Sequence, residues 1–205
     1  MFRLNIVLLF WLMFFFNACS THTKEFQALS IAIKDIKKPF SNKEIDSIEI
    51  VDYCYILDKK ILEGYKIQRN IILNNKLKPS ENFYSWIDKK ESWILCDNEI
   101  DYMIKSISKQ KKRFLNQQMF GNSNKKIMLV DLPSFEDNTY EDLDRQGRVK
   151  KEKFVYFLSK PIFNRNKNIF FIQYKTILLP NFSSTLIYKK KDFGWDLIAY
   201  MNHAM

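Results

Sequence analysis

Two histidines, three cysteines and 23 acidic residues are the groups in this chain that could carry a reaction. His22 lies near the start and His203 near the end. Neither is well placed for a Ser-His-Asp or Cys-His site, which needs a base held in orientation by a third group. No H-E-x-x-H, C-x-x-C, P-loop or G-x-G-x-x-G pattern occurs, so neither a zinc site nor a nucleotide cradle is implied, and no cofactor is expected. A pair of carboxylates suffices for glycoside hydrolysis, but nothing in the spacing selects one pair among so many acids. The densest acidic group is Asp131, Glu136, Asp137, Glu141, Asp142 and Asp144, followed by Arg145, Arg148, Lys150 and Lys151. Oxygen ligands of this kind can hold Ca²⁺. The D-x-[DN]-x-[DN]-G pattern with its distal Glu is missing, so the stretch reads as a polar surface loop and no metal is expected.

The cysteines divide into two groups. Cys54 and Cys96 sit in apolar, aromatic surroundings, Tyr53-Cys54-Tyr55 and Ile94-Leu95-Cys96. In an oxidising compartment they could form one disulfide, and in any compartment they could pack as two buried thiols. Sequence leaves both open, because a bridge depends on a Cα separation it does not give. Cys19 is different. It ends a stretch with one basic residue, Arg3, an unbroken apolar run from Ile6 to Phe16, and then Asn17-Ala18.

That layout is the layout of an export signal. Eleven helical residues reach only about 16 Å, against a hydrocarbon core of roughly 30 Å, so the run is too short for a permanent span. A Cys directly after a small residue at the end of such a run resembles the lipobox of bacterial lipoproteins. The resemblance implies that the Cys19 thiol receives a diacylglycerol, that the signal is cut after Ala18, and that the new amino group is acylated with a fatty acid such as palmitate. Phe16 and Asn17 stand where that family usually has Leu and a small residue. Two or more chains on one cysteine hold a protein stably on a bilayer, at about 0.8 kcal/mol per buried CH₂. The organisation expected is therefore a cleaved signal over 1–18, a tether over 19–24, and a single domain over 25–205.

A formal charge of +10 would ordinarily suggest nucleic acid. With an export signal in front, the partners it points to are anionic lipid headgroups, an acidic glycan or an acidic protein. A solvated, lysine-rich surface is the plain alternative.

The elements that must position these groups can be read from periodicity. Phe26, Leu29, Ile33, Ile36 and Phe40 recur at three- and four-residue steps, which predicts a core-facing helix ending near Pro39. Ser47 to Leu57 is strand-like, and Ile61 to Leu73 fits a helix despite Gly64. Phe83 to Cys96 suggests a hairpin, with Trp86 and Trp93 as core or sheet-face aromatics. Glu99 to Phe114 reads as a helix capped by Asp97 or Asn98, with Ile100, Met103, Ile104, Ile107 and Phe114 on its apolar face and Lys109, Lys111, Lys112 and Arg113 at its basic end. Ile127 to Val130 is a short strand.

Four strand-like runs fill the last third: Lys153–Leu158, Asn168–Leu178, Thr185–Lys189 and Gly194–Met201. Turn residues separate them, and short connections favour antiparallel neighbours. Phe170, Ile172 and Tyr174 are predicted to share one face, as are Trp195, Leu197 and Ala199. Pro161 belongs at a strand end or bulge, and Gly194 at a tight turn with positive φ. The fold class expected is α+β: a C-terminal antiparallel β-meander packed on one face by N-terminal and central helices.

Phe157-Leu158-Ser159-Lys160-Pro161-Ile162-Phe163, the aromatic strand through Tyr174, Leu186-Ile187-Tyr188-Lys189-Lys190 and Gly194-Trp195-Asp196-Leu197-Ile198 form a recognisable series. It resembles uncharacterised exported lipoproteins of Bacteroidota, in which Ser-x-Pro-Ile-Phe leads into one strand and Lys-Lys-x-x-Gly-Trp into the last. The likeness covers roughly residues 97–201 and the signal. Many members carry a Gly- and Cys-rich segment where this chain has Leu178-Leu179-Pro180-Asn181. The resemblance implies export and an anchor, with the outer membrane favoured over the inner, and brings no reaction. The function expected is thus a lipid-anchored, non-catalytic binding or structural domain of the cell envelope. The alternative is an envelope hydrolase acting on glycan or peptide through paired carboxylates.

Overall fold

The computed structural model describes residues 24–36, 47–75, 93–120, 125–131, 155–176 and 182–204. Three helices and nine strands make up these segments: α1 (24–34), α2 (Lys59–Asn75), α3 (Asp97–Ile107), β1 (Ser47–Val51), β2 (Tyr53–Cys54), β3 (Arg113–Phe114), β4 (Lys126–Val130), β5 (Val155–Leu158), β6 (Ile162–Phe163), β7 (Ile169–Thr176), β8 (Phe182–Lys191) and β9 (Gly194–Ala204). A 3₁₀ turn, Gln117–Phe120, follows β3.

The architecture is α+β. β5, β7, β8 and β9 lie side by side and antiparallel, which is the meander expected from the short turn-rich connections. β1 joins this sheet parallel to β5, and β4 lies parallel to β1 beyond it, so the whole sheet is mixed. β2 and β3 form a separate two-stranded ribbon. β6 continues the line of β5 along β7 after a break at Ser159-Lys160-Pro161. Pro161 has no N–H to give a ladder, and it sits in that break, between strands.

β7 is the central strand of the meander and is buried on both sides. Its run Ile169-Phe170-Phe171-Ile172 is apolar without alternation, as burial on two faces demands. Phe170, Ile172 and Tyr174 point to one face, where Leu186 and Tyr188 of β8 join them under Ala28, Leu29, Ala32, Ile33 and Ile36 of α1. Ile169 and Phe171 point to the other, with Ile187, Leu62 and Tyr65 of α2, and Ile100 and Met103 of α3. The central helices therefore cover one face and the N-terminal helix the opposite one, and not one shared face as expected from sequence: β7 is apolar on both sides, so each side takes its own helical cover. Tyr65 meets Phe171 edge-on at 5.3 Å, and its ring lies 5.1 Å from that of Trp93 at a tilt of 30°.

Two ion pairs tie α2 to α3: Lys66 Nζ to Asp101 Oδ1 at 2.8 Å and Arg69 Nη1 to Asp97 Oδ1 at 3.1 Å. Asp58 starts α2 by accepting from the Lys60 N–H at 3.0 Å, satisfying one of the helix's orphan donors.

The structure corrects four local readings. α3 begins at Asp97 with Cys96 at the N-cap, and no side chain caps it. The Cys96 carbonyl accepts the first regular helical bond, from the Ile100 amide, and also takes the otherwise free Glu99 amide in a 3₁₀-type bond, both at 3.1 Å. α3 also stops at Ile107, so the basic residues and Phe114 lie beyond it. Ser106 Oγ bonds the Tyr102 carbonyl and Ser108 Oγ bonds the Lys105 carbonyl, drawing hydroxyls onto the last turn where like charges follow.

In β9 the expected face breaks. Tyr188 pairs with Leu197 but Ile187 pairs with Ala199, so Ile198 is an extra residue in a bulge. Trp195 and Leu197 stay on the α1 face while Ala199 turns to the α2–α3 face. Trp93 is a partly buried core aromatic, but Ile94 and Leu95 are not in a strand. The rest of the expected hairpin, residues 83–92, lies outside the described residues.

Two turns match their expected chemistry. Asn164 Oδ1 accepts from the amides of Asn168 and Ile169, both at 3.0 Å, and Lys167 takes a left-handed φ of 54° between them. Gly194 opens β9 at φ 148°, a conformation costly for any side chain.

Candidate functional site

The described groups that combine charge, aromatic surface and a thiol converge where Glu25 and Phe26 of α1 meet the β2–β3 ribbon. β2 alternates, so Cys54 faces α1 while Tyr53 and Tyr55 face the other way. Arg113 is the ribbon partner of Cys54 and Phe114 that of Tyr53.

On the α1 side, Arg113 Nη1 donates to Glu25 Oε2. The Glu25 carboxylate also faces Lys160 Nζ at 3.6 Å. All three side chains are 17% exposed, so the pairing holds its charges in partial shelter. The Arg113 guanidinium lies 4.6 Å from the Phe26 ring centroid. Lys160 is placed by the β5–β6 break, where its amide donates to the Tyr55 carbonyl at 2.8 Å.

Burial pushes the Cys54 thiol from 9.0 up to about 12; Arg113 and Lys160 pull against this and Glu25 adds to it, but burial wins. A thiol held there is protonated at neutral pH and is not a nucleophile.

On the far side, Tyr53 meets Phe114 edge-on at 6.5 Å and Phe157 at 6.4 Å. Lys112 Nζ lies 5.1 Å from the Tyr53 ring, and Lys175 Nζ 4.9 Å from the Tyr55 ring. The Tyr55 hydroxyl donates to Gln173 Oε1 at 2.9 Å, and Gln173 Nε2 donates to Ser183 Oγ at 3.2 Å. Burial holds the Tyr55 phenol well above its usual range, so it stays a donor. Ser159 and Gln173 are buried and exchange two bonds of 2.8 Å: the Ser159 amide gives to the Gln173 carbonyl, and the Gln173 amide gives to Ser159 Oγ. These polar groups satisfy one another, as buried groups must.

Chain residues 109–114, Lys109-Gln110-Lys111-Lys112-Arg113-Phe114, lead into this junction. Lys109, Lys111 and Lys112 are exposed, and Phe114 is 74% exposed. The arrangement can present fixed positive charge and aromatic rings to an anionic surface. It holds its thiol and its phenol protonated at neutral pH.

Cys54 and Cys96 are not joined. Both are free thiols, Cys54 buried against α1 and Cys96 exposed at the start of α3, which packs on the opposite face of the sheet. A layer of sheet lies between the two neighbourhoods, so the possible disulfide between them does not form. Cys19 and His22 lie outside the described residues, as does the acidic stretch after Asp131. His203 lies in β9, paired with Ser183. Among the described residues no three His, Cys, Asp or Glu side chains are grouped to hold a metal ion.

Glu25, Lys160 and Lys175 were not singled out from sequence, and Arg113 was read only as part of the basic end of a helix. They come from four distant segments, and only the fold brings them together. One signal was present: the period-two alternation in Tyr53-Cys54-Tyr55 assigns the thiol and the phenols to opposite sides. No family model matches the chain, and neither a curated protein nor a solved structure matches it.

Proposed function

We propose that this chain is an exported protein of the bacterial cell envelope, anchored through lipid on Cys19, whose folded part is a non-catalytic binding or structural domain. The observation that carries the reading is the sequence around Cys19, an apolar run from Ile6 to Phe16 with the small residue Ala18 directly before the cysteine. The folded part follows closely, since residue 24 already lies in α1. Among the described residues no helix is long and apolar enough to cross a membrane. The resemblance to exported lipoproteins of Bacteroidota supports the same reading. The protonated Cys54 and Tyr55, and the exposed lysines beside them, favour recognition of an acidic surface over catalysis.

Replacing Cys19 with Ala tests it. The wild-type chain is expected to fractionate with membranes and to lose residues 1–18 while gaining the mass of a diacylglycerol and an acyl chain. The Cys19→Ala chain is expected to lose both the added mass and the membrane association. A wild-type chain of unmodified mass would refute the anchor.

A further inference from the structure

We infer that residues 109–114 form a second membrane contact, which lays the β2–β3 ribbon against anionic phospholipid and so sets the orientation of the domain. The inference rests on the lipid anchor proposed for Cys19 and says which face of the domain that anchor presents to the bilayer.

Chain length makes the first part of the case. Lys24 stands five residue steps after Cys19, and a fully extended chain spans at most about 17 Å over that number. Lys24 and its neighbours in α1 are therefore held close to the bilayer surface. Glu25 of α1 is paired to Arg113, and Phe114 is the next residue. The basic segment is thus pinned to the part of the domain that the tether keeps nearest the lipid.

Chemistry makes the second part. Lys109, Lys111 and Lys112 are exposed in the same short segment, as Phe114 is. Clustered lysines beside a membrane attachment are drawn to anionic headgroups. An exposed Phe ring buries itself at the boundary between headgroups and acyl chains, and lysine stems lie along apolar surface while their ammonium groups reach phosphate. Phe114 is backed edge-on by Tyr53, which Lys112 overlies, so ring and charge are presented together. Charge on one segment and a ring at its end match a bilayer surface, which offers phosphate above and apolar chains below.

The lipidated full-length protein, in a Cys96→Ser background, tests this on vesicles. A cysteine is introduced by Phe114→Cys, or as a control by Leu73→Cys on α2, where Leu73 is 54% exposed. Labelling by a membrane-impermeant maleimide is compared on phosphatidylcholine vesicles containing phosphatidylglycerol and in detergent. Position 114 is expected to react about tenfold more slowly on the vesicles than in detergent, and position 73 equally in both. High salt, or replacement of Lys109, Lys111 and Lys112 by Gln, is expected to restore the rate at 114. Equal rates at 114 and 73 on vesicles, with lipid on Cys19, would overturn the docking alone. A mature mass without lipid would overturn both docking and anchor. Protection seen in native membranes but lost on these vesicles would assign the segment to an acidic protein and overturn the lipid contact.

Discussion

The phenol of Tyr188 donates a 2.6 Å hydrogen bond to Asp35 Oδ2, joining β8 to the end of α1. The same ring stacks on Phe170 at 4.6 Å and 16°. Tyr188→Phe keeps the ring and removes the bond. The expected loss of stability is about 1–2 kcal/mol, near the lower end for a bond to a charged group because Asp35 is only partly buried. Urea unfolding should show a lower midpoint with an unchanged slope.

Alkaline pH should destabilise the fold from about pH 9 upward. Burial raises the Cys54 thiol from 9.0 to about 12, and burial raises the phenols of Tyr55, Tyr65, Tyr156 and Tyr188 above 10.0. Each group keeps its proton in the folded state at a pH where the unfolded chain has released it. The folded state then binds more protons, so stability falls as pH rises. These contributions are complete below the unfolded values and are lost above them, the thiol's between about 9 and 12. In a pH series of unfolding midpoints, Cys54→Ala should move the onset up towards 10.

Glu25→Gln should cost about 2–3 kcal/mol, less than breaking a fully buried pair because its partners keep some exposure. The loss arises mainly from Arg113 and Lys160 left without their carboxylate. In the Glu25→Gln background, Arg113→Gln should cost less than in the wild type by about 1 kcal/mol, read from a double-mutant cycle.

Gly64→Ala should stabilise the protein. Gly64 lies within α2, and a Cβ placed there meets nothing within 4 Å. Glycine inside a helix costs about 0.5–1 kcal/mol relative to alanine, so the unfolding free energy should rise by that amount, read from a higher urea midpoint at unchanged slope.

The two downstream thiols should differ in reactivity. In the native, lipidated protein a thiol reagent should consume Cys96 alone, and Cys54 should react only on unfolding. Equal rates for both would contradict the burial of Cys54.

Local patterning made α1, α2 and the meander legible. Ile33 and Ile36 announce one helical face, and Gly194 announces the last turn. What sequence concealed was set over long distances. Short connections in the last third pointed to antiparallel neighbours, and β5, β7, β8 and β9 pair so; β1, separated from β4 and β5 by long stretches of chain, pairs with both in parallel, and such pairing leaves no local mark. Ala199 was assigned to the face of Trp195 because strict alternation knows nothing of a bulge. Phe114 fitted the spacing of α3, but Ser106 and Ser108 bind backbone carbonyls at its end and the helix stops short. The junction of Glu25, Arg113 and Lys160 was invisible for the same reason as β1: its members meet only once the sheet is built.

β1 is flanked on both sides by strands that arrive much later in the chain: Ser47 pairs with Lys126, and Glu49 with Val155. Synthesis delivers β1 first, with neither edge covered. The meander, by contrast, pairs near neighbours and can close early, since local contacts form fastest. Assembly therefore runs against the order of synthesis, with the first strand waiting for the last third of the chain. An unpaired Ile- and Val-bearing strand is a template for other chains during that wait. A slow phase in refolding, and aggregation that competes with it, should both track β1.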